Sequence, residues 1–446
     1  MPSEFIKSLC ALDTLKISIS GVRGIFADDL NLKDIIHFCR NFSHIIKSKK
    51  CILARDTRPS SEILSQVASA SLMERGISVY NLGVVPTPVA FRESRKYGAG
   101  LIITSSHNPL EWNGLKFIID GRGINETELK HLLEEKKFSN GRIGTESDID
   151  STYVSEAAKL VGKVKGNPKI ALDVGGGAAF HVAPLLLEKL GCKVRKINQV
   201  PGKSLRGPDP TADRLSGLVR LSKNADIGFA FDLDGDRLVV VKDGKKQTPD
   251  VTLGLGVAKA LEIGYKKFVL SIDTSIAIEK YINGEGGQVK RSKVGEANVV
   301  DLMLKTRSQA GGEGSSAGFI LPEFNMCRDG ILTSGFIASM IGTTNFSDII
   351  KFMEGYNQRR SKIKVDSRFH KKTIDILAKK MKKEFSHVIA IDGIKAIIDE
   401  DSWVLVRQSN TEHSIRVSTE SNDLRKVKNI ESNITKLVTR SYEEAR

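Results

Sequence analysis

Residues 104–109 read Thr-Ser-Ser-His-Asn-Pro, directly after the apolar run Ala-Gly-Leu-Ile-Ile, and lead into Glu-Trp-Asn-Gly-Leu ahead of Lys116. A serine at the mouth of a buried strand, with His107 beside it and Lys116 further on, suits a hydroxyl that is phosphorylated and dephosphorylated. A plain strand-to-loop turn contains the same residue types, so the turn gains meaning from its company. That company begins with Phe231-Asp232-Leu233-Asp234-Gly235-Asp236-Arg237, which follows a second apolar run. Three carboxylates at alternate positions on a strand-to-loop junction can converge on a hard cation such as Mg²⁺, which takes oxygen ligands and leaves room for a phosphate oxygen. A calcium loop would need a carboxylate at position 241, which is valine, so that spacing is absent.

Three weaker segments complete the set. Arg407-Gln408-Ser409-Asn410-Thr411-Glu412-His413-Ser414-Ile415-Arg416 offers guanidinium, hydroxyl, amide and backbone N–H groups to a phosphate dianion, although a polar hairpin loop reads the same way. Ala310-Gly311-Gly312-Glu313-Gly314-Ser315-Ser316-Ala317-Gly318 lacks the lysine and spacing of a nucleotide-binding P-loop. It reads as a flexible stretch whose carboxylate suits sugar hydroxyls, or as a linker. Ser20-Gly21-Val22-Arg23-Gly24 places an arginine between glycines, which would let backbone and guanidinium approach an anion together. Arg55-Asp56-Thr57-Arg58-Pro59 follows a strand and precedes a helix, and a structural role is expected for Asp56.

These segments must be held by a scaffold. Apolar runs at 51–54, 100–104, 169–174, 226–231, 238–241 and 268–272 read as buried strands, and amphipathic stretches at 60–75, 178–190, 251–261 and 296–305 as helices. Strands separated by helices imply βαβ units. Breaks in this rhythm at 139–151, 242–250 and 359–369 divide the chain into residues 1–150 with the serine turn, 151–248 with the carboxylates, 249–362 with the glycine-rich stretch, and 363–446 with the Arg407 loop. The fold expected is α/β: three related α/β domains with mixed, mostly parallel sheets, and a smaller C-terminal α+β domain. In the last, helices are predicted at 371–385 and 424–439 and strands at 403–406 and 415–417.

At 446 residues the chain is too long for one core, and 27% charged with 40% hydrophobic residues is ordinary for a soluble globular protein. The five cysteines are scattered without a Cys-x-x-Cys pair, which gives neither a disulfide framework nor a zinc site. No apolar run could span a bilayer and the N-terminus lacks a secretory pattern, so a cytoplasmic protein without membrane association is predicted. The net charge of +15 is spread along the chain, without basic runs interleaved with aromatics. Nucleic-acid binding is therefore not expected, and attraction of small anionic substrates accounts for the charge.

Taken together and in this order, from Ser20 to Glu420, the segments resemble the α-D-phosphohexomutase family, whose members move a phosphoryl group between the 1- and 6-positions of a hexose. The resemblance implies an isomerase with Ser106 as the phosphorylated residue. It makes Asp232, Asp234 and Asp236 the ligands of Mg²⁺, with phospho-Ser106 as a further ligand. Arg23 and Arg237 would steady the site, and His107 and Lys116 would assist proton transfer. Glu313 and Ser315 would bind the sugar, and Arg407, Ser409, Asn410, Thr411 and Arg416 the phosphate that does not react. The implied partners are sugar phosphates, with a hexose 1,6-bisphosphate as activator, acting on a monomer or homodimer.

Within the family, residues 111–117 and 320–330 look most like the archaeal-type phosphoglucosamine mutase branch. That branch usually has Gly-Glu-x-Asn-Gly-Gly where this chain has residues 312–318, one residue longer. Asn410 stands where glycine is commonest, and His413 replaces the usual proline. A phosphomannomutase/phosphoglucomutase is the rival within the same chemistry. Outside it, Asp232-Leu233-Asp234-Gly235 also looks like the motif of aspartate-nucleophile phosphatases, and an inactive regulatory relative is a third reading.

Overall fold

The computed structural model describes residues 15–134, 142–343, 345–408 and 414–446, and in it four sheets succeed one another along the chain. The first has eight strands. Its centre is parallel, with Ala99–Ile103 beside Lys50–Arg55 and that strand beside Ser78–Val84. Trp112–Ile119 and Gly21–Ile25 extend it antiparallel on one side, and Glu146–Asp148 lies parallel on the other. The second sheet places Lys169–Asp173 between Lys193–Ile197 and Ile227–Phe231, all parallel, with Leu238–Lys242 and Lys245–Lys246 antiparallel at its edge. The third repeats the plan on a smaller scale: Gln288–Ser292, Lys267–Ser271 and Ala310–Glu313 are parallel, and Gly318–Ile320 turns back. The fourth sheet, of five strands, is wholly antiparallel and carries the helices His370–Glu384 and Leu424–Ala445.

Parallel strands buried on both faces read as continuous apolar runs, and Ala99–Ile103 and Ile227–Phe231 are buried at every position. Helix Pro249–Glu262 starts behind Thr248 with proline in its first turn, where the missing N–H costs nothing. Nearly all its residues are buried, because it lies between the second and third sheets. Those two sheets therefore share one hydrophobic cluster, in which Leu172, Phe229, Val240, Leu253, Phe268 and Phe336 all take part. The first sheet has its own cluster around Phe38, Phe42 and Phe117.

Two readings are corrected. The boundary expected between residues 362 and 363 falls inside the strand Asn357–Lys364, whose eight residues all pair with Ser414–Ser421, so the fourth unit begins near residue 357. This strand is Asn-Gln-Arg-Arg-Ser-Lys-Ile-Lys, charged because it is a sheet edge, where lysine and arginine discourage pairing with other chains. The stretch 310–318 is not a flexible loop: it is a strand, a short 3₁₀ turn and a second strand, buried apart from half-buried Ser315. Its glycines answer crowding. A Cβ on Gly311 would stand 1.9 Å from the Val269 carbonyl oxygen, and one on Gly312 2.0 Å from that of Gly318.

Cys39, Cys51, Cys192 and Cys327 are buried free thiols, and Cys10 lies outside the described residues. Among the described residues, no helix is long and apolar enough to cross a membrane.

Candidate active site

Ser106, Asp232, Asp234, Asp236 and Glu313 sit at or just past the C-terminal ends of parallel strands, where open α/β sheets place their ligands, while Arg23 and Lys116 come from antiparallel strands beside them. Strand Ala99–Ile103 ends at Thr104, whose N–H donates to Gly114 O at 3.0 Å, and the Asp56 N–H donates to Ile103 O at 3.0 Å. The Thr104 hydroxyl donates to Asp56 Oδ2 at 2.7 Å and accepts the Ser106 N–H at 2.9 Å. Ser106 is thereby fixed at φ +50°, a left-handed conformation that costs a non-glycine residue on the order of 1 kcal/mol. Its buried hydroxyl donates to Asp232 Oδ2 at 3.0 Å.

Beneath this loop lies Arg58, only 2% exposed, which pattern reading of the sequence does not single out. Its Nε pairs with Asp56 Oδ2 at 3.0 Å. One Nη donates to Ser106 O at 2.6 Å and Asn108 O at 2.7 Å, and the other to Trp112 O at 2.8 Å and to Pro109 O. One guanidinium thus gathers four carbonyls of the serine loop. Asp56 has the structural role expected of it.

The three aspartates each bring one oxygen within 4.8 Å of the others. Asp232 Oδ1 accepts the Arg237 N–H at 3.1 Å, Asp234 Oδ2 accepts the Thr87 hydroxyl at 2.8 Å, and Asp236 Oδ2 accepts Arg328 Nη2 at 2.7 Å. Asp234 Oδ1 and Asp236 Oδ1 are buried without a hydrogen-bond partner. Buried acceptors left unpaired beside a third carboxylate are costly unless a cation completes them, so the donor set fits a hard divalent ion. Burial, then Asp234 and Asp236, push the Asp232 carboxyl well above its ordinary range. Burial would do the same to Asp236, but Arg328, Lys116 and Arg237 outweigh it and hold that group low.

Cations surround the triad. Arg237 Nη2 donates to His107 Nδ1 at 2.8 Å, and its other Nη reaches Asp209 at 3.4 Å. Burial, followed by Arg237, Arg23 and Arg328, drives the His107 pKa down to about 2, so the ring is neutral here and its Nδ1 is an acceptor. Lys116 lies 3.4 Å from Asp236 and 3.2 Å from Glu296. Burial opposes its charge, but Glu296, Asp236 and Asp234 raise it above the usual lysine value. Burial lowers Arg23 while Asp234 raises it, which puts that side chain in the field of the same cluster. Two residues earlier, Gly21 leaves no room for a side chain, since a Cβ there would meet Leu115 O at 2.2 Å.

Arg328 joins this cluster to the third sheet. It pairs with Asp236 at 2.7 Å, Glu313 at 3.3 Å and Glu296 at 3.4 Å. Arg328, within the 320–330 stretch, and Glu296 have no role that the sequence alone assigns, because each gains it only when the chain brings the first three sheets together. Burial raises the Glu313 carboxyl although Arg328 opposes it, and the Gly295 N–H donates to it at 2.6 Å. Ser315 hydrogen-bonds Asp273, and Arg407 acts on the same aspartate across the boundary with the fourth sheet. Arg416 faces Arg407 in the register of the two strands. Ser409, Asn410 and Thr411 lie outside the described residues. Thus Ser106, His107, Lys116, Arg23, Arg237 and the three aspartates form one cluster, Glu313 joins it through Arg328, and Ser315 and Arg407 meet at Asp273 beside it.

A buried cluster to which several α/β units contribute, with a strained serine facing three carboxylates amid arginines, is the arrangement of a multidomain phosphomutase. The chain belongs to the phosphoglucomutase/phosphomannomutase family: its models for alpha/beta/alpha domains I, II and III match residues 15–140, 151–245 and 248–356, and that for the C-terminal domain matches 362–437. Among curated relatives, a probable phosphoglucosamine mutase of Thermococcus kodakarensis is 32% identical, covering 96% of this chain and 98% of that protein. One of Methanosphaera stadtmanae is 32% identical over 92% and 95%. A phosphoglucomutase/phosphomannomutase family protein of Burkholderia thailandensis has the same fold, with a TM-score of 0.85 at 23% identity over 96% of this chain and 98% of that one.

Proposed function

We propose that this protein interconverts hexose 6-phosphates and hexose 1-phosphates through a phosphoserine at Ser106, with glucosamine phosphate as its substrate. The observation that carries the reaction is the Ser106 hydroxyl, 3.0 Å from Asp232 and held by a strained turn among cations. The choice of sugar rests on the relatives named phosphoglucosamine mutase.

In the forward step a sugar hydroxyl oxygen attacks the phosphorus of phospho-Ser106. The bond from phosphorus to Ser106 Oγ breaks, the sugar hydroxyl gives up its proton as the serine oxygen takes one up, and a hexose 1,6-bisphosphate results. The bisphosphate then turns end for end, and Ser106 Oγ attacks its other phosphorus, releasing the product and restoring the phosphoserine. Positioning and electrostatics supply most of such catalysis. Asp232, Asp234 and Asp236 are the residues that would hold Mg²⁺, whose charge offsets that of the transferring phosphoryl oxygens. Arg23 and Arg237 add positive charge to the cluster, and Lys116, held protonated between Glu296 and Asp236, would donate to the sugar oxygen when that oxygen is the leaving group in the return transfer to Ser106. Glu313 and Ser315 take the sugar hydroxyls, and Arg407, Arg416 and residues 409–411 take the idle phosphate.

The test compares kcat/KM for glucosamine, mannose and glucose 6-phosphates in the presence of Mg²⁺ and a trace of the matching bisphosphate. A preference for the amino sugar of about tenfold, roughly 1.4 kcal/mol of transition-state binding, supports the assignment. Equal or reversed preference assigns the enzyme to neutral hexoses instead.

A further inference from the structure

On the second sheet, a cavity of about 820 Å³ opens between the edge strand Lys193–Ile197 and the helix Ser216–Ser222. Strand alternation explains it. Val194 packs into the large shared core, so Arg195 and Ile197 face the other way, where the short helix covers only the inner strands. Arg195 from the strand, Arg214 from the preceding loop and Arg220 from the helix all line the cavity. None of the three makes an ion pair or hydrogen bond with a described residue.

The carboxylates in the same wall are already engaged. Asp173 pairs with Arg206 at 3.0 Å and accepts the Gly175 N–H and Asn198 Nδ2. Asp213 accepts the N–H groups of Gly207 at 3.1 Å and Leu215 at 2.7 Å. Three permanently charged, exposed guanidiniums from separate elements therefore line one space without an ion-pair partner, and outnumber the one carboxylate of the wall, Asp213, that no cation pairs. The rest of the wall is apolar, with Ile197, Leu215 and Leu221 at its base. Leu205 stands at its edge, 98% exposed, on a loop held by its N–H bond to Asn198 Oδ1 at 3.1 Å.

We infer that this cavity binds a phosphorylated ligand with a flat apolar body, of the nucleoside diphosphate class. The volume lies within the range of small-molecule sites and far exceeds one phosphate. Guanidiniums fork onto phosphate oxygens and stack on aromatic faces, so the arginines read the diphosphate while Leu205 and Ile197 cover the base. The site has a physical link to the catalytic cleft. Arg206, in the cavity wall, donates to Phe231 O, the carbonyl immediately before Asp232. An occupant that shifts Arg206 changes the support of the aspartate loop, which makes the ligand an effector.

Titration calorimetry at about 50 mM salt, where exposed charge is weakly screened, tests this with UDP, ADP and inorganic pyrophosphate. The wild type is expected to bind both nucleotides more tightly than pyrophosphate. The triple variant Arg195→Ala/Arg214→Ala/Arg220→Ala should bind them at least about tenfold more weakly while keeping its nucleotide-free mutase turnover and melting temperature. Leu205→Ser should weaken the nucleotides and leave pyrophosphate unchanged. Absence of nucleotide binding by the wild type overturns the inference. So does equal affinity in the triple variant, which would place the ligand in the catalytic cleft, and so does pyrophosphate matching the nucleotides, which would remove the apolar body from the site.

Discussion

Replacing Arg58 with methionine removes the guanidinium that organises the serine loop while keeping a long apolar stem. Five hydrogen bonds disappear: one to Asp56 and four to the carbonyls of Ser106, Asn108, Pro109 and Trp112. Asp56 keeps three donors, namely the backbone N–H of residue 58 and the hydroxyls of Ser61 and Thr104, so its carboxylate is not orphaned. The loss therefore falls at the low end of the cost of breaking a buried ion pair, about 3 kcal/mol. Most of it lies in the carbonyls, and the relaxation they undergo moves Ser106 out of its left-handed conformation. A displacement of the order of 1 Å at a reacting atom costs about 100-fold in rate. Arg58→Met is thus expected to lose about 100-fold in kcat with KM nearly unchanged, and to melt several degrees lower. Arg58→Lys keeps the charge but not the fork, and should fall between. Steady-state kinetics, calorimetric melting and the extent of Ser106 phosphorylation are the readouts. An Arg58→Met protein with kcat within about twofold of wild type would refute the reasoning.

Gly311→Ala should cost more than about 4 kcal/mol and largely prevent recovery of folded protein, because its Cβ meets a strand carbonyl at φ +153°. Gly83→Ala, with nothing within 4 Å and only a left-handed φ to pay for, should cost about 1 kcal/mol in the same thermal melts. Lys395, buried under Trp403 and donating to Ile272 O at 2.7 Å, has its pKa lowered by burial to about 7. From there up to its ordinary 10.5 the unfolded chain holds the extra proton, so this group makes stability rise with pH by up to about 1.4 kcal/mol per unit. Melting temperatures between about pH 7.5 and 9.5 should show that slope in wild type and a flatter one in Lys395→Met. Removing divalent ions with a chelator should abolish turnover, and returning Mg²⁺ should restore it and raise the wild-type melting temperature but not that of Asp234→Asn.

The parts of the site that could be read from the chain are those whose chemistry is local. The serine turn and the Asp232–Asp236 spacing are contiguous, and each follows an apolar run that can only be a buried strand. The supports were hidden because their meaning is long-range: Arg58 acts on carbonyls some fifty residues away, and Arg328 joins Asp236, Glu296 and Glu313 from distant positions. Residues 55–59 did hint at Arg58, being a charged cluster between a strand and a helix. The fold was legible where strands are buried and obscure where they form edges. Asn357–Lys364 has one large apolar residue and shows no strand pattern, and neither does the strand inside the glycine-rich stretch, where crowding leaves room only for hydrogen in place of side chains.

The most direct test of the account is the chemical nature of the phosphoenzyme. Purified protein is incubated with Mg²⁺ and a hexose 1,6-bisphosphate, then digested, and the modified peptide is located by mass spectrometry with and without hydroxylamine treatment. The account predicts one phosphate on Ser106, stable to acid and to hydroxylamine, and none in the Ser106→Ala protein. A hydroxylamine-labile phosphate on Asp232 or Asp234, or turnover that persists in Ser106→Ala, would contradict it.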